Sequence, residues 1–367
     1  MLDTITTTWT DAWGQALTLA GCCRCNGVFL LPTERSLTPC PYCGQDSLEV
    51  MDTAVDRPVY TQPPELTLPF TASQPVLHAQ ITQFVQKNWL APADLTPANL
   101  IGRLQPLYLP LWLVDAAVQA QWQADVGYNY QVVSHREQFQ NGQWRTQEVR
   151  ETRVRWEPRL GTLRRRYDNQ MAPALEEQQQ LEQMLGAYQL QGKRPYHPHD
   201  LRQAAAHLPN RPPADAWPEA REGLKTAAME ECRQAAAADY IREFRWAADF
   251  RDQNWTQLLL PLYTTFYQDD DNQVRLVYLH GQTGRLHGQR RASMQKARRW
   301  AMMIGGTAVV IFVLSLLLAV GGYLQKALLP WAAAALVMAL LVGVTAVLPL
   351  LIAWRVNRES GVVSLAS

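Results

Sequence analysis

Ala116–Val132 reads AAVQAQWQADVGYNYQV. Its even positions, Ala116, Val118, Ala120, Trp122, Ala124, Val126, Tyr128, Tyr130 and Val132, are apolar or aromatic, whereas the odd ones include Gln119, Gln121, Gln123, Asp125, Asn129 and Gln131. A period of two held this long turns successive side chains to opposite faces of a pleated chain. It predicts one or two antiparallel strands, dry on one face and wet on the other. Downstream, Asn141-Gly142 sits between a polar strand and Gln143–Trp156 and reads as a hairpin turn. In the second arm Thr152, Val154 and Trp156 alternate with Arg153 and Arg155, and Arg164, Arg165 and Arg166 extend the cationic side, which reads as a solvated sheet face.

Further out, Leu109-Pro110-Leu111-Trp112 is echoed by Leu260-Pro261-Leu262-Tyr263. Two related β subunits, or two halves of one sheet, with helices inserted between them would explain the echo. A last β element is expected over 256–268 and 273–280, joined at Asp269-Asp270-Asp271-Asn272. That acid triplet lacks the downstream ligands and closing Glu of a calcium loop and reads as a turn. Residues 52–71, with Pro58, Pro63, Pro64 and Pro69, read as an extended linker. Helices are expected over 73–89, where Val76, Ile81, Phe84 and Val85 have near-helical spacing, and over 97–104. Gln, Glu, Ala and Leu predict two more over 172–190 and 216–248. His197 and His199 lie in a Pro-rich loop without a nearby Cys and read as part of a surface turn.

Near the N-terminus, Cys22, Cys25, Cys40 and Cys43 form two C-x2-C pairs, in the strings CCRCNG and CPYCG. Two such pairs, each followed by Gly (Gly27, Gly44), bring four thiolates to the corners of a tetrahedron, the ligand set of structural Zn2+. Four cysteinates leave no open coordination position, which disfavours a catalytic metal. A disulfide framework would need an oxidising compartment. A thioredoxin-like motif needs a single pair beside a βαβ unit. Leu19-Ala20-Gly21-Cys22 resembles a lipoprotein cleavage box, but the residues before it include Asp3 and Asp11, no Lys or Arg, and only a short apolar run. Cys23 is an extra thiol able to stand in for Cys22, and Cys232 reads as a small buried residue of a helix.

The other end is of different composition. Between Ala301 and Trp354 the only charged residue is Lys326, so 66 of 67 charges lie in the remaining 313 positions. Residues 301–324 are uncharged and, at 1.5 Å per residue, reach about 36 Å, enough for a hydrocarbon core of about 30 Å. Residues 327–354 repeat the pattern, with Trp300, Tyr323, Trp331 and Trp354 near the expected boundaries. Gly305, Gly306, Gly321, Gly322 and Ala332–Ala335 are small surfaces for close helix approach. Arg285, Arg290, Arg291, Lys296, Arg298 and Arg299 precede the first span, and Arg355 and Arg358 follow the second, which predicts both flanks on the cytoplasmic side. Neither span holds an Asp, Glu, His or Arg, so an ion or proton pathway has no candidate residues.

The whole-chain averages, net charge +1 and 47% hydrophobic, exclude disorder and a strongly basic protein. They also hide the division. Without 301–354, charged residues make up about 21% of the chain, close to the ~25% of an ordinary soluble domain.

Several strings resemble one bacterial family, the membrane-anchored TFIIB-type zinc-ribbon proteins often labelled as primosomal helicase-related. They are the four-Cys ribbon, Pro69-Phe70, Trp89-Leu90-Ala91-Pro92, Leu107-Tyr108-Leu109-Pro110-Leu111-Trp112, and above all His280-Gly281-Gln282-Thr283-Gly284-Arg285 with Gly288 and Ser293. The resemblance covers most of the chain, and least the middle, 169–248. The chain departs from it at His280, where Asn is usual, and at Arg291-Ala292, where a Pro-containing pair is usual. The helicase label finds no phosphate loop, since Gly288 is followed by Gln289. The resemblance implies an adaptor in membrane-stress systems, with flotillin-like (SPFH) and phage-shock-type partners.

The expected fold is α+β: a zinc ribbon over 1–50, a β-rich cytosolic body with inserted helices over 51–290, and a transmembrane helical hairpin with a short cytosolic tail over 291–367. The expected function is a non-enzymatic scaffold at the bacterial inner membrane, touching the lipid bilayer and leaving self-association open. The alternative is a membrane-tethered nucleic-acid binder, for which the ribbon's bases, Arg24 and Arg35, are too few.

Overall fold

The computed structural model describes residues 12–34, 39–45, 48–51, 60–140, 143–322 and 324–359. The Asn141-Gly142 turn, Tyr323, Pro58 of the linker, Arg35, Asp3, Asp11 and the tail after Glu359 lie outside them.

The chain is a mixed α+β protein with a large sheet, an N-terminal cysteine cluster and two long apolar stretches of helix at its C-terminal end. β1 (Leu17–Cys22) and β2 (Val28–Pro32) form a hairpin, and β3 (Leu48–Val50) pairs with β1. β4 (Leu66–Thr67) precedes α1 (Gln74–Gln86) and α2 (Pro97–Gly102). β5 (Gln105–Gln140) pairs antiparallel with β6 (Gln143–Pro173), from Leu111↔Pro173 to Gln140↔Gln143. Then come α3 (Gln178–Leu185), β7 (Arg194–Pro195), β8 (Ala205–His207) and α4 (Pro213–Ala235). β9 (Tyr240–Gln268), β10 (Val274–His280) and β11 (Leu286–Gly288) complete the strands. Helices α5 (Met294–Gly322), α6 (Leu329–Thr345) and α7 (Leu348–Glu359) end the described chain. The strand order is β11-β10-β9-β5-β8-β2-β1-β3, with β6 on β5 and β4 on β7 and β9.

Two interleaved compact units result. The first comprises 1–110, 177–210 and 259–367, and the second 111–176 and 211–258. In the first, one core gathers Trp13, Leu19, Leu30, Tyr108, Leu201 and Leu259. A second core lies between α1 and the sheet, where Leu77, Ile81 and Phe84 meet Tyr267, Val277 and Leu279. Burying each of these α1 side chains is worth roughly 1.5–3 kcal/mol. The helix sits slightly differently from expectation: Val76 is exposed and Leu77 takes the inward position.

The string His280–Arg285 closes the β10–β11 connection. The N–H of His280 donates to Arg285 O, and that of Gly284 donates to His280 O. The His280 ring is buried and stacks on Tyr188, and its Nδ1 accepts the N–H groups of Gln282 and Thr283. Burial pushes the imidazole pKa down, which keeps the ring neutral and Nδ1 free to accept. Gly281 is required by close approach: its N–H donates to Pro261 O at 2.9 Å, and a Cβ there would clash with the Pro261 backbone and ring. Its carbonyl in turn accepts the N–H groups of Thr71 and Ala72, fixing the entry to α1.

In the second unit the alternation holds as read from Ala116 to Val126 and fades beyond it, where Tyr130 is exposed and Val132 half-buried. Ala116, Val118, Ala120, Ala124 and Val126 are buried, and Gln119, Gln121, Gln123, Asn129 and Gln131 are exposed. α4 covers the dry face, with Ala228 and Cys232 packed on Ala124 and Phe244, so Cys232 is the small buried residue expected. β5 is a single strand that runs on through Leu107–Val114, buried on both faces. The two Pro-containing echoes therefore lie on neighbouring strands, β5 and β9, of one sheet.

Two expected helices are shorter than read. Of 172–190, β6 keeps the first residues and only Gln178–Leu185 is α-helical, stopped at Gly186 with φ +91°. Of 216–248, the helix ends at Ala235, Ala237 turns left-handed at φ +50°, and β9 begins at Tyr240. The Ala247-Ala248 pair looks helical by propensity. Yet Phe244, Trp246, Ala248 and Phe250 turn inward while Arg245, Ala247, Asp249 and Arg251 are exposed, which is strand period. Asp239 fixes the switch: its N–H donates to Gly127 O and its carboxylate accepts the Asn129 N–H.

The His280 loop makes a sharp prediction. His280→Asn keeps an acceptor at similar reach from the backbone and should leave the midpoint of thermal unfolding nearly unchanged. His280→Leu strands two loop amides and should cost about 1–2 kcal/mol, read as a lower midpoint for the protein in detergent.

Candidate metal centre

β1 and β2 present the first cysteine pair at their connection. Cys22 is the last residue of β1, its N–H donates to Gly27 O, and the N–H of Cys25 points at Cys22 Sγ at 3.5 Å. The second pair lies in a matching turn, in which Cys40 N–H donates to Gln45 O and Gly44 N–H to Cys40 O. The sulfurs of Cys22 and Cys43 are 3.6 Å apart and those of Cys25 and Cys40 3.9 Å, with all four within 4.8 Å of one another.

Those separations test the chemistry. A disulfide requires about 2.05 Å, so these are four free thiols. A tetrahedral ion bonded at about 2.3 Å sets its sulfurs about 3.8 Å apart, close to the separations of the Cys22–Cys43 and Cys25–Cys40 pairs. Cys22, Cys40 and Cys43 are buried and Cys25 half-buried. The cluster suits a metal such as zinc, and among the described residues it is the one group of metal-ligating side chains so arranged. Cys23 points outward and is exposed, leaving Cys22 as the fourth member.

The two turns differ in surroundings. The first is open, with Cys23, Arg24 and Asn26 exposed. The second is set against β9 and β10: Thr264 Oγ1 donates to Pro41 O, and Tyr278 OH to Tyr42 O at 3.4 Å. Gly44 has φ +70°, and a Cβ there would press on Val274 at 3.0 Å and Phe266 at 3.2 Å. Beneath the cluster Tyr42 packs among Phe29, His207 and Tyr278. His207 donates Nδ1–H to Leu208 O, and burial pushes its pKa down to about 4, so the ring is a neutral packing group. Gly27 makes room for it, since a Cβ there would lie 2.8 Å from His207 Nε2.

His207, Tyr42, Thr264 and Tyr278 escaped the sequence reading. The spacing of the cysteines carries their own signal, whereas a lone His after three alanines carries none. His197 and His199 do not join the cluster. His199 lies in the 3-10 turn Pro198–Leu201 and His197 caps its start, where the Asp200 carboxylate accepts the His197 N–H and pairs with Arg194.

At the other end of the same unit the apolar helices begin. Asp269 closes the β9–β10 turn by accepting the N–H groups of Asp271 and Gln273, as expected for a turn. Asp270 Oδ2 accepts the Ser293 hydroxyl and the Gln295 N–H, capping α5. Asn357 near the end of α7 exchanges two hydrogen bonds with the Ala292 backbone. Ser293 N–H donates to Leu90 O and Asn88 donates to Arg291 O, so the Trp89-Leu90-Ala91-Pro92 segment receives the start of α5. Helix α5 begins before the apolar run and carries Lys296, Arg298 and Arg299 in its first turns. The second apolar stretch is long enough to cross a membrane as a whole, Lys326–Arg358, with a break at 346–347 ahead of Pro349.

The two apolar stretches are mostly exposed, with most Leu, Val and Met side chains outward. Inward positions are small: Ala308, Ser315 and Gly322 on α5 and Ala332 and Ala339 on α6, each spaced by seven. A Cβ at Gly321 or Gly322 would meet Leu328 or Leu329 at the turn into α6, whereas one at Gly305 or Gly306 would meet nothing within 4 Å and Ala333 and Ala334 are exposed.

No protein-family model, curated protein or solved structure matches the chain.

The purified chain should carry one equivalent of zinc by elemental analysis, as a closed four-cysteine site requires. Cys40→Ser should lower the metal content and the unfolding midpoint together. Gly44→Ala, which forces a side chain into a left-handed position at about 1–2 kcal/mol, should make the metal easier to strip with a chelator although all four cysteines remain.

Proposed function

We propose that this chain is a non-enzymatic, zinc-containing adaptor held in the bacterial inner membrane, which recruits cytosolic partner proteins to the bilayer. The observation that carries this reading is the pair of helical stretches at the C-terminal end. Each is long enough to cross a hydrocarbon core, and both present Leu, Val, Phe and Met outward, whereas a core helix of a soluble protein would be largely buried. The outward Trp300, Trp331 and Trp354 suit the two water boundaries. The basic residues before α5 and in α7 favour a cytoplasmic body.

A ribbon with one turn built into the sheet and the other exposed has one face left for a partner, around Cys23, Arg24 and Asn26. A four-sulfur site with no open position favours a structural over a catalytic role for the ion. The resemblance to membrane-anchored zinc-ribbon proteins makes flotillin-like (SPFH) and phage-shock-type proteins the partners to test.

Two measurements decide the matter. Reporter fusions should show cytoplasmic activity when joined after residue 359 and the opposite activity when inserted at Lys326. Affinity capture of the tagged protein from detergent extracts at native expression should recover a flotillin-like protein, and Cys40→Ser with Cys43→Ser should abolish that recovery. Recovery of no protein partner removes the adaptor reading. Salt-dependent retention of DNA by the full chain would replace it with nucleic-acid binding.

A further inference from the structure

A cavity of about 530 Å3 lies at the foot of the apolar helices, framed by the β9–β10 turn, the start of α5 and the end of α7. Its lining includes three acids, Asp269, Asp270 and Asp271, and three arginines, Arg275, Arg291 and Arg298. Asp269 and Arg275 are committed to each other, paired at 2.7 Å with both side chains largely buried. The other four groups are not matched in this way. Asp270 uses Oδ2 to cap α5 and adds a second carboxylate to the wall. Arg291 donates one Nη1–H to Asn357 O, and its buried Nε has no protein partner. Asp271 and Arg298 are exposed, and among the described residues neither is in an ion pair.

Setting the Asp269–Arg275 pair aside, the lining carries two carboxylates and two guanidiniums, neutral in sum. That balance selects the ligand. A bare anion would meet Asp270 and Asp271, and a bare cation would meet Arg291 and Arg298. A phosphate joined through a short linker to an ammonium satisfies both signs, with guanidinium taking phosphate in charge-assisted hydrogen bonds and carboxylate taking the ammonium. The depth agrees. Arg298 precedes the uncharged run from Ala301 by less than one helical turn, and Trp300, whose ring lies 6.3 Å from that of Trp89, suits the polar–apolar boundary.

We infer that this cavity binds the head group of an aminophospholipid, its phosphate held by the guanidiniums of Arg291 and Arg298 and its primary ammonium by Asp271. The inference rests on the reading of α5–α7 as membrane helices. A trimethylated ammonium cannot donate to Asp271, and a glycerol head group offers no cation, so phosphatidylcholine and phosphatidylglycerol are the controls.

Native mass spectrometry of the full-length protein in mild detergent reads the site directly. Given equal amounts of phosphatidylethanolamine, phosphatidylcholine and phosphatidylglycerol with matched chains, the protein should retain phosphatidylethanolamine at several-fold higher occupancy. Asp271→Asn and Arg298→Gln should each reduce that occupancy to the level of phosphatidylcholine while leaving zinc content and unfolding midpoint unchanged. Equal retention of the three lipids, or a preference that survives both substitutions, overturns the site. Phosphoethanolamine without acyl chains should not displace the bound lipid; displacement would make the ligand a soluble phosphate ester and overturn the lipid assignment. Alkaline carbonate washing of vesicles holding the same protein separates the two levels. A protein that stays integral but shows no preference removes only the head-group site, whereas a protein released by carbonate removes the membrane reading and the site with it.

Discussion

The pairing of β9 with β10, from Leu262↔His280 to Gln268↔Val274, is the constraint on which the first unit depends. Because side chains alternate across a strand, this short ladder has two buried faces with different duties. Thr264, Phe266, Val274 and Tyr278 receive the second cysteine turn. On the other face Tyr267, Val277 and Leu279 pack against α1, and Thr265 hydrogen-bonds the carbonyl of Leu100 in α2. The turn that joins the two strands caps α5, and the loop that leaves β10 fixes the entry to α1. A slip of one residue would exchange the faces and detach the cysteines and helices together.

Side-chain hydrogen bonds reinforce the same strand pair from outside. Asp94 accepts from Arg103 through both carboxylate oxygens and takes the N–H of Gln268, the last residue of β9. The Arg103 guanidinium beside it holds its carboxyl below the usual range. Tyr267 OH donates to Gln289 O and accepts the Arg291 N–H just before α5. The tip of the ladder is thereby fixed where the apolar helices begin. A metal held by Cys40 and Cys43 would add its binding free energy to this arrangement, since the turn that carries those ligands is part of the sheet's own packing.

What could be read beforehand follows from the range of each interaction. The cysteine spacing, the alternation over 116–132 and the uncharged stretches are local patterns, and each was legible because a few neighbouring residues carry its whole signal. The helix ends were less so. Ala237 and Ala247-Ala248 favour helix by propensity, and the strand from Tyr240 wins through tertiary contacts, the ties of Asp239 to β5 and the burial of Phe244 against Ala124. The inward face of α1 missed by one residue for the same reason: Val76 and Leu77 are equivalent in composition, and only the position of Tyr267 and Leu279 separates them. The surroundings of the cysteine cluster were illegible because His207, Thr264 and Tyr278 come from strands more than a hundred and fifty residues downstream.

That separation has a consequence in time. The last of the four cysteines is made at Cys43, but the strand pair that receives them is not finished until His280. At about 5–20 residues per second, the nascent chain carries its four thiols without their docking surface for roughly 10–50 seconds. Only 13 residues then separate the end of β10 from the start of α5. The ladder therefore closes while the first apolar helix is already being made, and the protein must dock its waiting thiols and shelter its newest segment at nearly the same moment.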